Sequence, residues 1–252
     1  MKPFLLMGAG KVHIDVLTDE GLPTGLALKG NCTRMSLKPD AELIEEYGAS
    51  DDDLMQVIGS VTLPKPAESE FEFNQVDADL FAMAFMGTNS LFEQTAGEET
   101  SGQTITTIAD KMVELGKYKI EDVVVKSTDG ATTYVEGTDY TVRPRVGGIT
   151  ALSTGSIPAG GQVKVTYSWP ALEGTVMKGM TKSNVRVRVL WEGKNFADGR
   201  EFIVDVYQGR LAPSADFNFQ NAIEKKFLAV KFKASLETPA GKDSPFKLTW
   251  LS

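Results

Sequence analysis

Glu70 and Glu72 stand in Glu70-Phe71-Glu72-Phe73-Asn74, where acid and aromatic residues alternate strictly. Alternation at period two puts both carboxylates on one face of a strand, about 7 Å apart. That is within the range used by paired catalytic carboxylates, so this pair is the chain's best case for acid–base chemistry. A solvated acidic face beside buried aromatics is the simpler reading, and it is the one favoured. The chain has one histidine and one cysteine. His13 lies in an alternating stretch beside Lys11 and Asp15 with no second His or nearby Cys, which makes it a surface or edge residue rather than a ligand. Cys32 has no adjacent basic residue to favour a thiolate and reads as a small, partly buried core residue. Asn31-Cys32-Thr33 fits a glycosylation acceptor pattern that matters only in a secreted chain. Asp51-Asp52-Asp53 lacks the alternating ligand spacing, central Gly and closing Glu of a calcium loop, so a solvated or partner-facing acidic loop is expected and no metal. No phosphate loop, dinucleotide fingerprint or nucleophile elbow is visible. Neither an enzyme nor a cofactor is therefore expected.

The chain has 252 residues, 42% of them hydrophobic, enough to bury a sizeable core. The opening Met1-Lys2-Pro3-Phe4-Leu5-Leu6-Met7-Gly8 has too short an apolar run for a signal peptide, and no segment approaches the roughly 20 apolar residues needed to span a bilayer. No membrane partner is expected. The net charge of −8 divides unevenly, with −12 in residues 1–101, zero in 102–170 and +4 in 171–252. Such asymmetry points to complementary surfaces, either within one subunit or between neighbouring copies. Tight nucleic-acid binding is disfavoured, because no basic stripe with interleaved aromatics is present.

The elements that must position these residues are mostly strands. Residues 11–17, 26–37, 54–63 and 70–74 read as strands, with a polar stretch at 38–53. A helix is expected over 78–86, with Asp77 as N-cap and Gly87 as its stop. Its Leu80, Phe81, Ala84 and Phe85 form a stripe to lie on a sheet. Residues 102–170 read as an inserted small Ig-like β-sandwich, with strands near 123–126, 133–136, 139–142, 147–150 and 163–167 separated by turn signals and entered through a linker at 94–102. Residues 185–189, 202–207 and 227–236 complete the host. Arg186 and Arg188 share a strand face there and are candidates for inter-subunit pairing with acids such as Glu70 and Glu72.

The order of these parts resembles the major tail tube proteins of long-tailed, non-contractile bacteriophages. The likeness spans nearly the whole chain. It is carried by residues 42–48 leading to the strand ending near Leu63, and by the acid-capped helix 77–87. It continues in Tyr134-Val135-Glu136-Gly137-Thr138-Asp139-Tyr140-Thr141-Val142 with the later Gly147-Gly148-Ile149-Thr150, and in Asp205-Val206-Tyr207-Gln208-Gly209-Arg210-Leu211-Ala212-Pro213. The resemblance implies a mainly β fold, two packed antiparallel sheets with a flanking helix, carrying the inserted module. It implies six-fold rings stacked into a hollow tube in the virion tail, made in the host cytoplasm, with strands of all subunits joining one β-barrel around the lumen. Its expected partners are further copies, a tape measure protein, a tail terminator and a distal tail protein, with DNA passing through unbound. Residues 38–53 resemble the family's stacking loop, making Lys38, Asp40, Glu42, Glu45, Glu46, Asp51, Asp52 and Asp53 candidates for the ring-to-ring contact. Glu70 and Glu72 are the lumen candidates, since acids there would repel phosphates. The module is expected outside the bore. A surface- or carbohydrate-binding protein is the alternative, with Tyr134, Tyr140, Tyr167 and Trp169 as a sugar platform.

Overall fold

The structure, a computed structural model, describes residues 4–214, 216–223 and 225–251. Residues 1–3 of the opening segment therefore lie outside the described residues. The strands in chain order are β1 (Gly8–Val16), β2 (Ala27–Leu28), β3 (Cys32–Tyr47) and β4 (Val57–Phe73), then after helix α1 (Ala78–Ala84) β5 (Thr88–Gln94), β6 (Gly97–Thr106), β7 (Met112–Glu114) and β8 (Glu121–Ser127). They continue as β9 (Tyr140–Arg143), β10 (Gly148–Ala151), β11 (Gln162–Trp169), β12 (Leu172–Lys178), β13 (Val185–Asn195), β14 (Glu201–Pro213), β15 (Val230–Leu236) and β16 (Phe246–Leu251). The fold is mainly β, and every strand pair is antiparallel within these ladders.

The chain divides into two compact units, Met1–Asn89 with Met177–Ser252, and Ser90–Val176. The second is longer at both ends than the expected 102–170. The stretch expected to be a linker is strand: Gly97 lies opposite Trp169 and Glu98 opposite Ser168, so β6 runs on past the anticipated boundary. β5 and β12 pair as a separate two-stranded ribbon.

In the first unit one sheet runs β2-β1-β13-β14-β15-β4-β3, with β16 paired to β14 off that path. β14 is long enough to serve both neighbours, since Glu201 to Val206 pair with β16 and Gly209 to Pro213 with β15. The apolar half of each alternation lies inward: Val185, Val187 and Val189 on β13, Val204 and Val206 on β14, Val230 and Phe232 on β15, Phe71 and Phe73 on β4. Phe73 and Phe232 meet edge to face at 6.2 Å. The sheet stays open, with β2 and β3 at its ends and no closed barrel among the described residues.

Helix α1 covers this core. Asp77 caps it as expected, its Oδ1 accepting from the Leu80 amide at 2.7 Å, and Leu80, Met83 and Ala84 face inward. Its end differs from the expectation. The left-handed residue is Met86, at φ 48°, and Gly87 is small because a Cβ there would stand 2.2 Å from the Lys178 carbonyl oxygen.

The expected strand 26–37 is broken at residues 29–31. Gly30 passes so close to Gln75 that a Cβ would meet its carbonyl oxygen at 2.3 Å. Lys29 turns inward, its side chain 4% exposed, to meet Asp77 at 3.2 Å and Asp79 at 2.9 Å.

In the second unit, sheets β6-β11-β8 and β7-β10-β9 share one core, including Ile105, Ile120, Val125, Ile149, Val163 and Val165. The expected strand 133–136 is reduced to two isolated bridges, Thr133 with Lys126 and Glu136 with Tyr140. The Asp139 carboxylate takes the amides of Val135 (2.8 Å) and Ser156 (2.7 Å), closing a turn where a ladder was expected.

Candidate functional site

The most distinctive feature of the first unit is the β3–β4 hairpin. Near its base the two strands are part of the sheet: Ala67, Ser69, Phe71 and Phe73 are buried, and β15 pairs with β4 from Glu68 to Phe73. Beyond Asp40, opposite Lys65, the same two strands continue with only each other, Ala41 opposite Pro64 and Ile44 opposite Val61. Residues 38–47 are therefore strand, and the polar loop expected over 38–53 is reduced to a tip at 48–56.

This distal arm carries apolar side chains on both faces. Ile44, Val61 and Leu63 share one face and Leu43 the other, since opposed and second-neighbour residues project alike. Leu43, Ile44, Val57, Ile58, Val61 and Leu63 are all 46–59% exposed, and Leu54 and Met55 at the tip more so. A two-stranded hairpin is marginal in water on its own, and an apolar face on each side leaves it wanting a partner.

The stacking candidates all lie on or beside this arm. Lys38 stands 3.9 Å from Glu68 at its root, and Glu42 pairs with Lys65 at 3.2 Å. Asp40 accepts from the Ala41 amide, Glu45 accepts from the Tyr47 hydroxyl at 2.6 Å, and Glu46 is exposed. That bond to Glu45 raises the Tyr47 hydroxyl above its ordinary range. The three tip aspartates are unequal. Asp53 accepts from the Ser50 amide at 2.9 Å and from the Ser50 hydroxyl, fixing the turn. Asp51 and Asp52 are exposed.

The lumen candidates sit in a ladder of opposite charges on the outer face of the sheet. Glu70 meets Arg34 at 3.2 Å, Glu72 meets Lys231 at 3.5 Å, and Glu68 meets Lys233 at 2.7 Å. Hydrogen bonding to Glu68 raises the Lys233 amine above its usual range. Arg186 and Arg188 do not pair with Glu70 or Glu72. Arg188 makes a two-pronged contact with Asp205 at 3.0 and 2.8 Å, and Arg186 reaches Glu237 at 3.5 Å. Register explains this: β13 is separated from β4 by β14 and β15, so the arginines meet acids on or beside those nearer strands.

The residues with catalytic potential are engaged elsewhere. His13 Nε2 lies 3.1 Å from Glu192 on the neighbouring strand. Burial pushes the Cys32 thiol up, away from the thiolate. A cleft of about 390 Å³ lined by Ile14, Thr24, Lys29, Asp79, Met83 and Lys182 holds the buried Lys29 and its more exposed partner Asp79. Burial opposes the Lys29 charge, but bonds to Asp79 and Asp77 outweigh it and raise the amine above its ordinary range, so it is no free base. The same bond from Lys29, with one from Asn89, lowers the Asp79 carboxyl. Of the proposed sugar platform, Tyr140 and Tyr167 are buried at 3% and 5% exposure, while Tyr134 and Trp169 pack against the same core. Among the described residues no group of three His, Cys, Asp or Glu could hold a metal ion, and no helix is long and apolar enough to cross a membrane.

Sequence reasoning missed two features. The Lys29 group brings together residues 48 and 50 positions apart, with no local signal. The arm was foreshadowed only by the apolar content of residues 54–63. No curated protein matches the chain. The model of one family, described as protein of unknown function UCP028589, matches residues 5–244, and the chain belongs to that family.

Proposed function

We propose that this protein is a structural subunit that stacks as six-fold rings into the hollow tail tube of a long-tailed bacteriophage, and that it is not an enzyme. The observation that carries this reading is the distal β3–β4 arm, a two-stranded projection with exposed apolar side chains on both faces. Such an arm is a hazard on a monomer and an asset in a polymer, where each copy covers its neighbour's. The outer edge of β3 adds to it. Sixteen residues of strand end the sheet with no further strand beside them among the described residues, an edge that a neighbour's strand could continue. On this reading the arm makes the ring-to-ring contact, and its exposed apolar residues contribute more than its acids.

The partners are further copies, with a tape measure protein, a tail terminator and a distal tail protein at the boundaries of the tube. The charge ladder around Glu70 and Glu72 suits a wall facing passing DNA in a different way from the acid lining first expected. Each acid neutralises a neighbouring cation, so the face neither grips phosphates nor strongly repels them.

Negative-stain electron microscopy with sedimentation over a concentration series tests the reading. Rings or uniform hollow tubes are expected, lost when Ile44 and Val61 are both changed to Ser. A protein that stays monomeric at every concentration, with or without a tail initiator complex, overturns it.

A further inference from the structure

In the first unit about half of the described cations are paired with acids, among them Lys29, Arg34, Lys65, Arg188, Arg200, Arg210, Lys231 and Lys233, while Lys11, Lys178, Lys182, Lys194 and Lys247 have no ion-pair partner among the described residues. The second unit is different. Over residues 90–176 it carries eleven acids and seven bases, yet none of the seven, Lys117, Lys119, Arg143 and Arg145 among them, has an ion-pair partner among the described residues.

These four sit on two abutting segments. The Leu115 amide donates to the Gly147 carbonyl at 2.8 Å, the Ile120 amide to Pro144 at 3.1 Å and the Lys119 amide to Arg145 at 3.4 Å. Gly147, left-handed at φ 64°, lies so close to the Lys117 carbonyl that no side chain fits between the segments. Lys119, Arg143 and Arg145 are exposed, and Lys117 lies over the Trp169 ring at 4.9 Å. Bringing like charges together without counter-ions costs self-repulsion, which an anionic ligand would relieve.

We infer that this pair of segments is a binding surface for an anionic glycopolymer, a chain of sugars or polyols carrying spaced phosphodiester or carboxylate groups. Arginine forks suit both groups by paired hydrogen bonds. On the same two segments Tyr118, whose ring meets Phe92 edge to face at 5.5 Å, is 50% exposed and Val146 42%, apolar surface against which a sugar or polyol can rest. The surroundings favour sparse charge over dense charge. Glu114, Glu121 and Asp122 flank the cations on the same stretch of chain, with Asp122 bonded to Ser168 at 3.1 Å. Duplex DNA, with a charge every 1.7 Å or so, would lay phosphates over those acids. A polymer charged once per repeat can place its anions on the cations alone. The inference is independent of stacking, since it concerns a different unit from the arm.

The test uses the full chain in solution over immobilised poly(glycerol phosphate), hyaluronate, uncharged dextran and a DNA duplex of about 20 base pairs, at low and moderate salt. Binding to poly(glycerol phosphate), hyaluronate or both is expected, weakening with salt. The combined variant K119Q/R143Q/R145Q should lose about tenfold in affinity, and its salt dependence should flatten. R143K/R145K should lose less, because charge survives when the fork does not. An unchanged melting temperature in both variants separates loss of the site from loss of the fold. The proposal falls if neither anionic glycopolymer binds, if dextran binds equally, or if the glutamine variant binds as tightly as wild type. Tighter binding of DNA than of either glycopolymer also overturns it.

Discussion

The two halves of the β3–β4 hairpin are made of the same two strands and meet opposite fates. The half from Glu68 to Phe73 has β15 beside it, its aromatics in the core and its acids matched to lysines and an arginine. The half from Ala41 to Pro64 has no strand beside it and leaves Leu43, Ile44, Val61 and Leu63 in solvent. Apolar content is therefore a poor guide to burial in this chain. What separates the halves is whether a third layer of structure lies against the strand. In the distal half no such layer is present among the described residues.

The sharpest way to break the comparison is to remove one half. Replacing residues 41–64 with Asn-Gly, a hairpin turn that joins Asp40 to Lys65, should abolish self-association in sedimentation while shifting stability by only about 0.5 kcal/mol. A collapse of the melting transition would mean that the arm supports its own unit. The reciprocal change falls on the buried half. Phe71→Ala should cost about 3–5 kcal/mol in urea unfolding, because the ring is fully enclosed beside Phe73, Phe232 and α1.

Smaller changes sharpen the contrast. Reversing Asp51 and Asp52 to Lys, leaving Asp53 to hold the turn, should weaken association by less than the Ile44 and Val61 serine pair does. The reverse ranking would return the contact to electrostatics. The acid dependence of the first unit should be modest. Asp79 titrates lower when folded, held there by its bond from Lys29, so its contribution is present above the ordinary aspartate value and is lost as pH falls from there through the lowered folded one. Asp79→Asn should accordingly flatten the acid side of the stability profile. Smallest of all, Glu70→Gln should change stability by about 0–1 kcal/mol, as expected of an exposed pair with Arg34.

Much of the architecture was legible in the residues. The period-two runs at 185–189, 202–207 and 227–236 are short-range patterns that any half-buried strand must satisfy; β13 and β14 carry the first two, and β15 carries the third from Val230 onward, residues 227–229 lying outside the strand. The Asp77 cap was readable because capping is settled within a few residues. The reading failed where distance in sequence is large. Residues 38–47 look like a loop because acids crowd them, yet backbone pairing with 57–68 makes them a strand. The stretch 94–102 looks like a linker because it is polar, yet β11 lies beside it.

By itself, then, the sequence determined a mainly β chain with one capped helix, a single His and a single Cys, and an acidic first third. These follow from composition and from periodicities within a few residues. Only the tertiary structure decided which charges cancel. It matched Arg188 to Asp205 and Glu70 to Arg34, buried Lys29 between two aspartates, and left Lys119, Arg143 and Arg145 with no ion-pair partner among the described residues. It also decided which apolar strand is core and which is arm. The physical reason is the same in each case: pairing depends on which strands become neighbours, and no local pattern encodes that.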